Sequence, residues 1–150
     1  MNSRKRLIVA AFLDMAIFFL LIIAFGISFD DLSFSFYEQA KVLTAAGADY
    51  LLLETALDTL NLKAAYIGIL RAFKELKKEI PIAISGTIET MGTMLAGQAV
   101  EAFYTSVEHM NPLYIGLNCA TGPEFMRDHI RTLSQVSAFP ISVAPNAGIP

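Results

Sequence analysis

Four short apolar runs, each ending in polar residues and each but the last followed by a helix-like pattern, set the limits on this fold. They are Tyr50-Leu-Leu-Leu-Glu-Thr55, Ile82-Ala-Ile-Ser-Gly-Thr-Ile88, Leu113 to Leu117 with Asn118-Cys119 behind it, and Ile141-Ser-Val-Ala144. Continuous apolar runs of this length suit strands covered on both faces. The strand-then-helix unit recurs about every 30 residues, the length of a right-handed βα unit. The pattern therefore predicts parallel strands near 50–54, 82–86, 113–118 and 141–144, with helices outside them.

The intervening segments carry helical spacing. Phe29-Asp-Asp-Leu-Ser33 reads as a loop whose Asp30, Asp31 or Ser33 caps a helix over 34–46. That helix has Phe36, Ala40, Leu43 and Ala46 on one face, and Gly47 ends it in the left-handed conformation. From Asp58, a second helix carries the stripe Leu62, Tyr66, Ile69, Phe73, Leu76 and Ile80, and Pro81 breaks it. Lys74, Lys77 and Lys78 fall in its last turns, where they suit the helix dipole and read as a solvated end. A loop with Gly92 and Gly97 leads to a helix that buries Ala99, Ala102, Phe103, Val107 and Met110. Pro123 opens the last helix, which buries Met126, Ile130, Leu133 and Val136. His109 and His129 lie within helices and are assigned to the surface.

At 150 residues the chain is long enough for one ordinary domain, and at 55% hydrophobic it can bury a sizeable core. The net charge is −3 and the eleven Lys and Arg are scattered, which excludes a nucleic-acid footprint. A single cysteine excludes an intrachain disulfide and points to a reducing, cytoplasmic setting.

The apolar excess is concentrated in the N-terminal segment, 1–26. After basic Asn2-Ser-Arg-Lys-Arg6, residues 7–29 are almost wholly apolar, the length and flank of a signal anchor or transmembrane helix. Asp14 argues against it, because a carboxylate at membrane depth costs about 3 kcal/mol on insertion scales. The segment is either a membrane anchor or part of a core, or else aberrant sequence.

The polar residues occupy corresponding places in the units. Glu54-Thr55, Ser85-Gly86-Thr87, Asn118-Cys119 and Asn146 all stand at strand ends, which share one edge in a parallel sheet. A carboxylate, hydroxyls, an amide and a thiol converge there, at the catalytic face of a (β/α)8 barrel or the crevice of an open sheet. Taken singly, each residue is as well explained as a helix cap, and Cys119 as a small buried hydrophobe. A complete barrel needs eight strands and about 250 residues. The four clear strands, five with part of the N-terminal segment, make about half of one.

Glu-Thr-Ala-Leu-Asp-Thr-Leu-Asn (54–61), Ile-Ser-Gly-Thr-Ile (84–88), Leu-Ala-Gly-Gln-Ala-Val-Glu-Ala-Phe-Tyr (95–104), Ile-Gly-Leu-Asn-Cys-Ala-Thr-Gly-Pro (115–123) and Pro-Asn-Ala-Gly (145–148) carry a resemblance. In order and spacing they resemble the homocysteine-binding barrel of cobalamin-dependent methionine synthases, in the homocysteine S-methyltransferase family. The resemblance runs from about residue 27 to the C-terminus and implies a partial barrel domain over 27–150, with strands four to seven of the family's eight. It implies methyl transfer from methylcobalamin, held on a separate domain, to zinc-bound homocysteine, with a folate-binding domain elsewhere in the intact enzyme.

In that family three cysteine thiolates hold the zinc, and the resemblance makes Cys119 one of them. The other two form an adjacent pair on the eighth strand, which this sequence lacks, so the chain alone is expected to be an inactive truncation. The resemblance also implies that Glu54 pairs with the homocysteine amino group. It places Ser85, Gly86 and Thr87 on the pocket floor, with Asn118 beside them, and Asn146 against zinc or substrate. The alternatives are a homocysteine methyltransferase using another donor, a pterin-binding or other barrel enzyme with Cys119 buried and metal-free, and an inert or membrane-anchored fragment.

Overall fold

The computed structural model describes residues 10–14, along the backbone, and 26–147. In chain order the elements are β1 (Ala10–Asp14), α1 (Phe29–Ala45), β2 (Tyr50–Ala56), α2 (Thr59–Leu76), β3 (Ile82–Gly86) and α3 (Val100–Val107). A 3-10 turn (Glu108–Met110), β4 (Ile115–Asn118), α4 (Pro123–Val136) and β5 (Ile141–Ala144) complete them. The strands form one five-stranded sheet in the order β1-β2-β3-β4-β5, every neighbour pair parallel. This is the curved, sequentially ordered sheet expected of part of a barrel, with β1 added to the four strands evident from the apolar runs. The sheet thus extends to the N-terminal side of residue 27. The remainder of the proposed membrane segment, 7–9 and 15–25, lies outside the described residues. Among the described residues no helix is long and apolar enough to cross a membrane.

One face of the sheet packs against the helices. Leu51, Leu53, Ile82, Ile84, Ile115 and Leu117 join Phe36, Leu62, Ile69, Phe103 and Leu133 in a single buried cluster. Side chains alternate between faces along a strand. Tyr50, Leu52 and Glu54 of β2 therefore belong to the opposite face, as do Ser85 of β3 and Gly116 and Asn118 of β4. The ring contact between Tyr50 and Tyr114, with centroids 6.0 Å apart, lies on that face.

The helix boundaries depart from expectation where capping decides them. Ser28, not Asp30, Asp31 or Ser33, caps α1: its hydroxyl oxygen accepts the Asp31 N–H at 3.2 Å, and the helix begins at Phe29. Gly47 is left-handed at φ 95, as expected past a helix end. Asp58 caps α2 by accepting from the Leu60 N–H at 3.1 Å. Helix α2 ends at Leu76, short of Ile80, and buries Leu62, Ile69 and Phe73 of the expected stripe together with Ala64, Ala65, Gly68 and Ala72, because it packs on α1 as well as on the sheet. A Cβ at Gly68 would lie 2.3 Å from the Ser33 carbonyl oxygen, so only glycine permits this close crossing.

The short helix α3 buries Val100, Phe103, Tyr104 and Val107, while Ala99 and Ala102 are exposed. Helix α4 buries Met126 and Leu133, but Val136 is 41% exposed and Ile130 only partly covered. A groove of about 210 Å³ between Ile130, Met126, Arg127, Pro123, the β5 residue Val143 and Pro145 just beyond it runs beside Ile130. Lys78 does not end in solvent alone: its Nζ donates to the Thr44 carbonyl at the end of α1, at 3.1 Å.

Candidate functional site

The C-terminal ends of β2, β3 and β4 are knotted together by one side chain. Asn118, only 2% exposed, accepts at Oδ1 from the Ser85 hydroxyl at 2.5 Å and from the Thr55 backbone N–H at 3.2 Å. Its Nδ2 donates to Thr55 Oγ1 at 2.8 Å and to Cys119 Sγ at 3.1 Å. The Asn118 carbonyl in turn accepts the Thr87 hydroxyl at 3.1 Å. Two acceptor positions and two N–H hydrogens are what a carboxamide offers, and all four are used.

The backbone is bent to make this possible. Thr55 has φ 58, an uncommon left-handed conformation for a β-branched residue, and it coincides with an irregularity in the β2–β3 register between Leu53 and Ala56. Cys119 and Ala120 follow β4 with φ 56 and 54. Left-handed non-glycine residues cost on the order of 1–2 kcal/mol each and cluster at functional sites. The turn is held by the Cys119 N–H on the Ala144 carbonyl at 3.1 Å and the Asn146 N–H on the Thr121 carbonyl at 3.2 Å.

The expected site residues therefore separate. Ser85, Thr87, Asn118 and Cys119 form one bonded group, and Asn146 joins its rim through the backbone. The Cys119 thiol is exposed, which removes the reading of it as a small buried hydrophobe. Glu54, half-buried, precedes the strapped Thr55 on the face away from the helices, and its negative charge acts on the Tyr114 hydroxyl. Burial first, then the hydrogen bond and charge of Tyr50, and then Glu54, raise the Tyr114 pKa above the ordinary phenol value. Gly86 turns the other way, toward α3: a Cβ there would lie 3.0 Å from the Phe103 ring.

Sequence reasoning missed Thr55 as a bonding partner, the Thr121 carbonyl, and Ser142. Gly116 is paired in register with Ser85 on one side and Ser142 on the other, and a Cβ at Gly116 would meet the Ser142 carbonyl at 2.4 Å. Asp14 stands opposite Glu54 in the β1–β2 register. The parallel register, which sets Ser142 beside Gly116, is the signal that finds Ser142. The left-handed turn at Thr55 leaves no trace in residue type. Of the two histidines, His109 packs edge-on to Tyr66, with ring centroids 6.4 Å apart, away from these strand ends.

A metal is testable from the donor set. Among the described residues no group of three or more His, Cys, Asp or Glu side chains could hold an ion. Cys119 is the single cysteine, so these residues do not by themselves fit a three-thiolate zinc site.

A family model described as homocysteine S-methyltransferase matches residues 11–150. The chain belongs to the homocysteine S-methyltransferase family. Within it, the chain is 45% identical over 116 residues to a methionine synthase of Mycobacterium leprae (strain TN), covering 77% of this chain and 10% of that protein. It is 46% identical over 116 residues to a methionine synthase of Mycobacterium tuberculosis (strain ATCC 25618 / H37Rv), with the same coverage. The chain thus spans about a tenth of the length of these curated relatives.

Among solved structures, the homocysteine methyltransferase MmuM from Escherichia coli superposes in its apo form with a TM-score of 0.73 at 18% identity, over 95% of this chain and 50% of that one. Its metallated form matches with the same score over 97% and 51%. At that identity the likeness establishes the fold, that of half a homocysteine methyltransferase barrel. An isomerase from Streptomyces coelicolor A3(2) shares it less closely, with a TM-score of 0.55 at 16% identity. The fold by itself accordingly does not select the reaction.

Proposed function

We propose that these residues form part of the homocysteine-binding barrel of a methionine synthase, the site at which homocysteine is methylated to methionine. The observation that supports it is the exposed Cys119 thiol, held beside Glu54-Thr55 at the C-terminal edge of the sheet in a chain of this family. Glu54 takes the homocysteine ammonium as a charge partner. Ser85 and Thr87 shape the floor, and Gly86 contributes by leaving room for Phe103 behind it. Asn146 closes the rim next to the Cys119 turn.

Zinc belongs to this reading, with Cys119 as the one thiolate these residues supply. When bound, such a metal stabilises a thiolate at neutral pH. The methyl donor is methylcobalamin on a separate domain, and a folate-binding domain reloads it. A donor other than methylcobalamin, as in other homocysteine methyltransferases, is the alternative. A polypeptide of these 150 residues, with one thiol, is inactive by itself. The single thiol and the absence of disulfide pairing favour the cytoplasm.

The test is a graft. The matched 116 residues replace their counterparts in the Mycobacterium tuberculosis methionine synthase, and methionine formation from homocysteine and methylcobalamin is assayed. The reading expects activity in the graft and its loss, together with zinc, in the same graft bearing Cys119→Ala. Full activity in the Cys119→Ala graft would reject it.

A further inference from the structure

We propose that Asn118 is a positioning residue, not a substrate contact: its carboxamide fixes Glu54 and Cys119 relative to one another. The proposal rests on the amino-thiol reading of the site given above. Its own support is the bonding of the carboxamide, which has no hydrogen or acceptor position left for a ligand. The Thr55 N–H, which can only donate, defines which end is oxygen, so the NH₂ end must face Cys119 and Thr55 Oγ1. Through the Thr55 N–H the same group holds the left-handed turn that directly follows Glu54. One planar side chain thereby sets the span between the carboxylate that would take an ammonium and the thiol that would stand at the sulfur.

Because Cys119 is the only cysteine, its reaction with small disulfides reports this span without metal or activity. The Cys119 thiolate attacks one sulfur of the reagent, the reagent's S–S bond breaks, and the released thiolate takes up a proton. Two reagents of equal length serve: cystamine, with an ammonium at each end, and neutral hydroxyethyl disulfide. With each rate divided by that of the same reagent on a small free thiol, which cancels the difference between the two leaving groups, a carboxylate near the incoming ammonium favours cystamine by about fivefold at low salt. The full chain is expected to show that preference, Glu54→Gln to abolish it, and Asn118→Leu to bring it down toward one while the protein remains folded by circular dichroism. Where Asn118→Leu does not fold, Ser85→Ala, which removes one of the two donors orienting the carboxamide, is expected to lower the preference at least twofold.

A merely structural role for Asn118 lowers stability in both variants and leaves the rate ratio of the folded fraction untouched, and that result overturns the proposal. If Glu54→Gln abolishes the preference and the Asn118 and Ser85 variants keep it, the amino-thiol reading survives and positioning by Asn118 does not. If Glu54→Gln leaves the ratio unchanged, the shared site is itself rejected.

Discussion

Asn118 Nδ2 donates to Cys119 Sγ at 3.1 Å, although the two residues are sequence neighbours. Adjacent side chains on an extended strand point to opposite faces. The left-handed Cys119, φ 56, breaks that alternation and swings the thiol back toward the face that carries Asn118 and Ser85. The strand therefore ends at Asn118 for a structural reason, and the same turn exposes the sulfur.

Removing the carboxamide should cost stability. Asn118→Leu keeps the branching at Cγ but leaves the Thr55 N–H and the buried Ser85 hydroxyl without their partner. A buried polar group left unsatisfied costs about 1–3 kcal/mol. Urea unfolding should show a loss in that range. A loss under about 0.5 kcal/mol, within the scatter of neutral surface substitutions, would mean that water replaces the carboxamide and the strap is weak.

The α1–α2 crossing offers a sharper test of the fold. Gly68→Ala would place a methyl group 2.3 Å from the Ser33 oxygen and 2.8 Å from the Tyr37 nitrogen, both backbone atoms. Overpacking of this kind typically costs about 1–3 kcal/mol, and rigid backbone puts it at the upper end. Ile67→Ala, next in sequence but 50% exposed, should cost well under half as much. Equal losses at the two positions would show that the helices do not cross at Gly68.

The outer surface of the same helix pair should respond to acid. Glu75 is held below the ordinary carboxylate range by its hydrogen bond with Lys41 and then by that with the Tyr37 hydroxyl. A depressed carboxylate stabilises the fold above its unfolded pKa, and that contribution is lost as pH falls through the folded value. Between pH 7 and pH 3 the melting temperature of the native chain should fall further than that of Glu75→Gln. The Lys41–Glu75 pair, 2.6 Å apart, is 37% and 48% exposed, so the difference is small and 0.5 M salt should shrink it. Parallel melting curves at low salt would remove the ion pair from the account.

The parallel sheet was legible because its strands β2 to β5 are short apolar runs punctuated by Pro81, Pro112 and Pro140. Strand β1 was legible only as a fifth strand without bounds in the N-terminal segment, because it lies inside one long apolar stretch with no turn residue to mark its ends, and a continuous run carries no period. The start of α1 was misplaced because Asp30, Asp31 and Ser33 offered the same capping chemistry a few residues on, although Ser28 with Asp31 three residues on is a recognisable N-terminal pairing. At the site, residue type marked Cys119, Ser85 and Asn118, whereas their connection depends on the left-handed backbone at Thr55 and Cys119. Neither position holds glycine, so composition gave no sign of it. The open side of α4 was hidden too, since Ile130 and Val136 follow helical spacing whether or not a neighbour covers them.

On the function proposed above, this chain supplies one corner of a zinc and homocysteine site and not the whole of it. The most direct measurement is zinc content after purification of the 150-residue chain with zinc present, compared with Cys119→Ala. A lasting zinc site requires about three protein donors. The account predicts far less than one zinc per chain, with little change in the variant. Near-stoichiometric zinc that disappears with Cys119→Ala would contradict it and show that further donors complete the site.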